Sequence, residues 1–165
     1  MKKYFINSLA ILVSSLMLVS CFEAEDKSFK GPEEFQFNNQ SLGRIAATIP
    51  GITAQSLIAK TVNQATVRVD SVEVQLIGVQ KNTALEVSYN VDPTSTAVAG
   101  THYTLVSPGK VTLAPNTSST YVKYNVIAGG IPAGGSPVRF ILNLEGAPGI
   151  PAGENHKRFT VTITR

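Results

Sequence analysis

Alternation of apolar and polar residues with a period of two runs through the second half of this chain and leaves it one kind of secondary structure to adopt. Leu85, Val87, Tyr89 and Val91 fall on one side of an extended segment, with Glu86, Ser88 and Asn90 on the other. Successive side chains of a strand point to opposite faces, so this spelling gives one buried face and one wet face. It recurs in Val122, Tyr124 and Val126, in Val138, Phe140, Leu142 and Leu144, and in Phe159, Val161 and Ile163 against Arg158, Thr160, Thr162 and Thr164. No segment after residue 21 repeats apolar residues at helical spacing. Between Ala65 and Val79 the parity switches, Val67 and Val69 being odd and Val72, Val74 and Leu76 even. The switch predicts a bulge or a change of sheet near Asp70-Ser71.

A shorter strand at Val111 to Leu113 brings the number to about seven within roughly 110 residues, the size and turn spacing of a two-sheet sandwich. The chain has 165 residues, one domain's worth, and 43% apolar against 15% charged residues excludes a disordered polymer. The expected fold is therefore all-β, an immunoglobulin-like antiparallel β-sandwich of about seven strands across residues 35–165, with a small Greek-key barrel as the alternative. Residues 35–56 are ambiguous. Phe35 and Phe37 alternate, but Asn38-Asn39-Gln40 and Pro50-Gly51 break any long element, so extended or loosely packed chain is expected there. The sequence Gly-Ile-Pro-Ala-Gly occurs at 130–134 and again at 149–153. Bracketing the Val138 to Leu144 strand, these loops emerge at opposite ends of it and read as turn chemistry.

The N-terminus reads as an address. Lys2 and Lys3 precede an apolar run from Leu9 to Val19, too short to span a bilayer but suited to a secretory signal, here residues 1–20. It ends in Leu18-Val19-Ser20-Cys21, which resembles the bacterial lipobox. The resemblance implies that Cys21, the only cysteine, is lipidated and becomes the mature N-terminus, making the membrane the first partner. Loss of Lys2 and Lys3 leaves 12 basic residues against 11 acidic, so the apparent basicity largely belongs to the signal. With Cys21 acylated, disulfides and thiol catalysis are excluded. Residues 21–34 form the lipidated end and an acidic tether, Glu23, Glu25, Asp26, Glu33 and Glu34 outnumbering Lys27 and Lys30. An acidic stretch after the lipidated cysteine is similar to the signal that carries Bacteroidetes lipoproteins to the outer face of the outer membrane. A plain linker facing the periplasm is the other reading.

Ala99-Gly100-Thr101-His102-Tyr103, then Gly109-Lys110-Val111-Thr112-Leu113, then Tyr121 to Ile127 and Phe140 to Leu144 follow one another in an order that resembles the Calx-beta domain. That family carries an Ala-Gly-Thr-Asp-Tyr corner, a short strand, a valine-rich strand and a late Phe-x-Leu-x-Leu strand. The likeness spans roughly residues 66–145 and implies an immunoglobulin-like sandwich. It is also similar to Bacteroidetes lipoproteins associated with surface glycan uptake. Calcium-binding members place acids at the corner and after the valine-rich strand, because Ca²⁺ takes six to eight oxygen ligands. Here the corner acid is His102, and Ala128-Gly129-Gly130 follows Ile127. Asp92 remains one ligand candidate, with Asp70 or Glu73 only where the fold brings them near; no metal is expected.

The chemistry available elsewhere is thin. Beyond Phe35 the acids are Asp70, Glu73, Glu86, Asp92, Glu145 and Glu154, and Glu86 and Glu145 sit on solvent faces, poor material for a glycosidase pair. His102 and His156 are the only histidines, too few for a zinc centre. No Gly-x-Ser-x-Gly elbow and no phosphate-binding glycine loop occurs, and basic residues are scattered, so neither catalysis, cofactor nor nucleic acid is expected. Sugar recognition wants exposed aromatic rings, and with Trp absent the candidate ligand-binding residues are Tyr103 and Tyr121, with His102 beside them at the corner. The expected protein is a non-catalytic, lipid-anchored surface binding or adhesion module, accessory to glycan capture, with a glycan or protein partner. The alternative is a structural subunit of an envelope assembly pairing through an exposed sheet edge, for which Phe159 to Thr164 is the expected edge.

Overall fold

A computed structural model of the chain describes residues 30–38 and 58–165. The expectations for the signal segment, Cys21, most of the tether and residues 39–56 lie outside these. Ten strands are found: β1 (Glu34–Phe37), β2 (Ala59–Asn63), β3 (Val69–Ile77), β4 (Leu85–Val91), β5 (Tyr103–Leu105), β6 (Lys110–Leu113), β7 (Ser119–Val126), β8 (Val138–Ala147), β9 (Ile150–Pro151) and β10 (Arg158–Thr164). They form a four-stranded sheet in the order β1-β3-β7-β5 and a six-stranded sheet containing the path β2-β10-β8-β4-β6, with β9 attached to β8. Two separate sheets make an all-β sandwich and not a barrel.

The alternating residues do what their spelling demands. Val72, Val74 and Leu76 of β3 and Val122, Tyr124 and Val126 of β7 join Val87, Tyr89, Phe140, Leu142, Leu144, Phe159, Val161 and Ile163 of the other sheet in one buried cluster. Phe140 sits at its centre. Its ring stacks on Tyr103 at 4.1 Å between centroids and meets Tyr124 edge-on at 5.1 Å. The Phe35 and Phe37 alternation is also genuine, since both side chains are buried from β1.

The structure corrects three expectations. The parity switch at Asp70-Ser71 marks no bulge: β3 pairs continuously with β7 from Val69↔Asn125 to Gln75↔Ser119. Val69 is instead 67% exposed, so the odd-numbered valine faces water and the core face begins cleanly at even positions. The bulge lies elsewhere, between Ser88 and Tyr89 of β4, where Ser88↔Gly146 and Tyr89↔Leu144 leave Glu145 as the additional residue. Second, Phe159 to Thr164 is no edge. β10 is paired antiparallel with β8 and parallel with β2, so both its backbone sides are satisfied. That parallel pair is also a departure from a purely antiparallel sandwich. Third, strands exceed about seven, because β1, β2, β5 and β9 are each five residues or fewer, too short to show a periodic pattern.

Edges differ in how they are finished. The outer side of β1 is covered by residues 153–156, Gly153 N–H donating to Phe35 O and Phe37 N–H to His156 O. On the opposite side of the sandwich, β5 ends the four-stranded sheet and β6 ends the six-stranded one, so the two terminal strands lie at the same flank of the molecule.

Candidate functional site

That flank holds an open groove of about 380 Å³ lined by Val106, Ser107, Val111, Thr112, Thr120, Tyr121 and Lys123. The chain builds it by crossing between sheets. β5 leaves the four-stranded sheet at Leu105, and Val106 N–H still donates to Lys123 O of β7 at 3.0 Å. The Ser107-Pro108-Gly109 turn, with Gly109 at φ +85°, then drops the chain into β6. Tyr89 secures the turn from below, its hydroxyl donating to Ser107 O at 2.6 Å and its backbone N–H to Gly109 O. Burial pushes the Tyr89 hydroxyl up to about 12, the Gly109 backbone N–H facing the hydroxyl oxygen pulling the other way, so it serves as a neutral donor. Thr120 Oγ1 donates to Thr112 O at 2.8 Å and stitches the two sheets across the groove floor.

The lining combines two kinds of surface. Val106 is 55% and Tyr121 37% exposed, two of six large apolar side chains exposed among the described residues, and these two line the same groove. Thr112 and Lys123 are exposed beside them and supply a hydroxyl and an ammonium. An aromatic face flanked by hydroxyls and one cation suits a polar, hydroxyl-rich ligand better than a lipid or a metal.

The three sequence-derived candidates do not assemble. Tyr121 stands in the groove. Tyr103 is only 2% exposed, its ring stacked on Phe140 in the core, so it offers no platform to a ligand; position in a corner motif concealed that its side chain points inward. Tyr103 pairs with Val126, five residues along β7 from Tyr121, on the order of 17 Å away at strand rise. His102 is a corner residue: its Nδ1 accepts the Val98 N–H at 2.9 Å, and its carbonyl accepts the Ile127 N–H. It is thus a hydrogen-bonding corner residue, engaged through both its ring and its carbonyl. Val106, Thr112, Thr120 and Lys123 went unnoticed in the sequence, where only an apolar residue standing before a Ser-Pro-Gly turn hinted at Val106.

The acids considered as calcium ligands are dispersed and engaged. Asp70 on β3 is ion-paired with Lys60 at 2.7 Å, whereas Asp92 follows β4 in the other sheet. Asp92 accepts from Thr94 N–H and Oγ1 at 2.8 and 2.6 Å and from Asn143 at 3.2 Å, and lies 3.4 Å from Arg158. These donors point at the carboxylate where a cation would have to sit, and the corner presents a histidine nitrogen already used as an acceptor. The residues present do not fit a Ca²⁺ site.

The same donors, led by Thr94, hold the Asp92 carboxyl down at about 2, below its ordinary 3.8. A depressed carboxyl stabilises the fold above its unfolded value, and that contribution fades as pH falls from about 4 towards 2. Asp92→Asn is therefore expected to lower the melting temperature at pH 6 and to flatten its decline between pH 4 and 2. Glu73 shows the opposite sign. It lies opposite Tyr121 in the register of the four-stranded sheet, is 4% exposed, and leaves Oε2 without a hydrogen bond. Burial raises its carboxyl, the Ser119 hydrogen bond partly opposing. A raised carboxyl costs stability above its unfolded value, so Glu73→Gln should raise the melting temperature at pH 8 and converge with wild type near pH 4.

The fold has solved counterparts. An apo-form Calx CBD1 domain matches with a TM-score of 0.54 at 19% identity, over 81% of this chain and 96% of that one. CBD12 from CALX1.2 matches with a TM-score of 0.52 at 20% identity, and the calcium binding domain CBD12 of CALX1.1 with 0.51 at 21%. Against these two, the chain spans 40% and 41% of their lengths. No family model and no curated protein matches the sequence. The domain is thus an immunoglobulin-like β-sandwich of the Calx-beta kind in its fold.

Proposed function

We propose that this protein is a non-catalytic binding module held at the outer membrane by lipidated Cys21, displayed at the cell surface and accessory to glycan capture, which takes its ligand in the β5–β6–β7 groove. The observation that carries the reading is the exposed Tyr121–Val106 pair set among hydroxyls and Lys123 where both sheets end. Stacking on Tyr121 would supply an orientation-specific contact, Thr112 and Ser107 would exchange hydrogen bonds with hydroxyls, and Lys123 would favour ligands carrying a carboxylate or sulfate. The purified chain applied to arrays of neutral and acidic oligosaccharides tests this. Tyr121→Ala is expected to weaken binding at least about tenfold, roughly 1.4 kcal/mol. Equal retention of wild type and variant would remove the groove from the account.

A second reading, a structural subunit of an envelope assembly, moves from β10 to β6. Among the described residues β6 pairs with β4 alone as a strand, and its other backbone side is met by the Thr120 hydroxyl at Thr112 O, which a partner strand would have to share or displace. Lys110→Pro, on β6 but outside the groove lining, would then abolish partner recovery from native membranes while sparing oligosaccharide binding.

A further inference from the structure

The interior holds an ion pair that no binding role requires. Lys60 of β2 points between the sheets, its side chain 2% exposed, and reaches across to β3. There Nζ lies 2.7 Å from Asp70 Oδ2 and donates to Ser71 O at 2.7 Å. Tyr124, fully buried, donates its hydroxyl to the same Oδ2 at 3.0 Å and places its ring 5.7 Å below Nζ. The Ser71 N–H donates to Asp70 Oδ1 at 2.7 Å. An amine and a carboxyl are thus held in contact, each carboxyl oxygen fixed by a separate donor, on strands that belong to different sheets.

Such a pair has two fates. As ions, Lys60 bears the cost of leaving water in full and Asp70, its side chain 21% exposed, in part, and their attraction repays this only partly. A proton passing from Nζ to Oδ2 yields a neutral amine against a neutral carboxylic acid, which are the forms that condense. Fixed proximity of this kind corresponds to effective concentrations of about 10⁵–10⁸ M in well-oriented intramolecular reactions. We propose that Lys60 and Asp70 join in an intramolecular isopeptide bond that ties β2 to β3 across the sandwich.

The step balances without any co-reactant. Nζ attacks Asp70 Cγ, and the Nζ–Cγ bond forms. The Ser71 N–H holds Oδ1 in place as the amide oxygen and stabilises the charge that develops on it. The Cγ–Oδ2 bond breaks as Oδ2, already carrying the first proton from Nζ, receives a second from it and departs as water. The Tyr124 hydroxyl, hydrogen-bonded to Oδ2, supports that departure and is recovered unchanged. One ammonium and one carboxylate become one amide and one water, with no net change in charge.

Intact mass of the purified chain reads the outcome directly and needs no variant. The expected mass is that of the chain less one water, persisting after boiling in denaturant. Tryptic digestion should yield a branched peptide joining the segments containing residues 60 and 70, with no cleavage after Lys60. Lys60→Arg and Asp70→Ala should each restore the full mass, and Tyr124→Phe should leave a larger full-mass fraction at a given time after synthesis. A full-mass wild-type chain with Lys60 freely cleaved would overturn the proposal. So would a water loss mapped to an Asp70 succinimide without a branched peptide.

Discussion

Replacing Phe140 by alanine is expected to lower the unfolding free energy by about 3–5 kcal/mol, the range for deleting a fully buried phenylalanine. The ring is completely buried and contacts Tyr103 face-on and Tyr124 edge-on, so its removal leaves two aromatic partners facing a void. The surrounding strands cannot collapse into that void, since Phe140 pairs with Val161 in the middle of a sheet fixed on both sides. A melting temperature lower by on the order of 10 °C or more should result. Denaturant titration checks the prediction. Phe140→Leu, which keeps part of the volume, should lose clearly less, and equal losses would contradict the cavity argument and assign the loss to the ring contacts instead.

The second large effect is expected at Gly146, for a reason of backbone shape. The residue sits at the β4–β8 bulge with φ +96°, and a Cβ built there would lie 2.4 Å from Ile150 O. The contact is with backbone of the adjoining hairpin, where Gly146 pairs with Pro151, so no side chain can swing away. Gly146→Ala is expected to cost on the order of 3 kcal/mol, joining the penalty of positive φ for an L-residue to a displacement of β9. Gly149 supplies the internal control. Its φ is +80° with nothing within 4 Å of the added Cβ, so Gly149→Ala should cost about 1–2 kcal/mol, the conformational share alone. Comparable losses at the two sites in chemical denaturation would contradict the steric argument.

The legible part of this molecule is the part in which side chains alternate over several residues. The inner sets of β7 and β10 match the sequence pattern residue for residue; in β4 the end residues Leu85 and Val91 are only half-buried, and β8 buries Ile141 on its other face as well. What remained hidden is pairing. A strand records which of its faces is dry, but carries no mark of its neighbours, so the partners of β10 were invisible and its half-buried threonines passed for an edge. Lys60 carries no sequence signal of its place either, since it sits in a five-residue strand with no periodic pattern and lies inside the sandwich. The groove was legible only at Tyr121. Its other walls come from residues between 106 and 123 that belong to two different sheets and meet because β5 and β6 end their respective sheets, a fact of topology and not of composition.

Whole-cell binding tests the central claim most directly. Cells carrying the wild-type chain, Tyr121→Ala or Cys21→Ala would be compared for capture of a fluorescently labelled acidic oligosaccharide, with surface display quantified by antibody. The account predicts capture by wild type, equal display but loss of capture for Tyr121→Ala, and loss of both for Cys21→Ala. Undiminished capture by the Tyr121→Ala cells, or display that survives in Cys21→Ala, would contradict it.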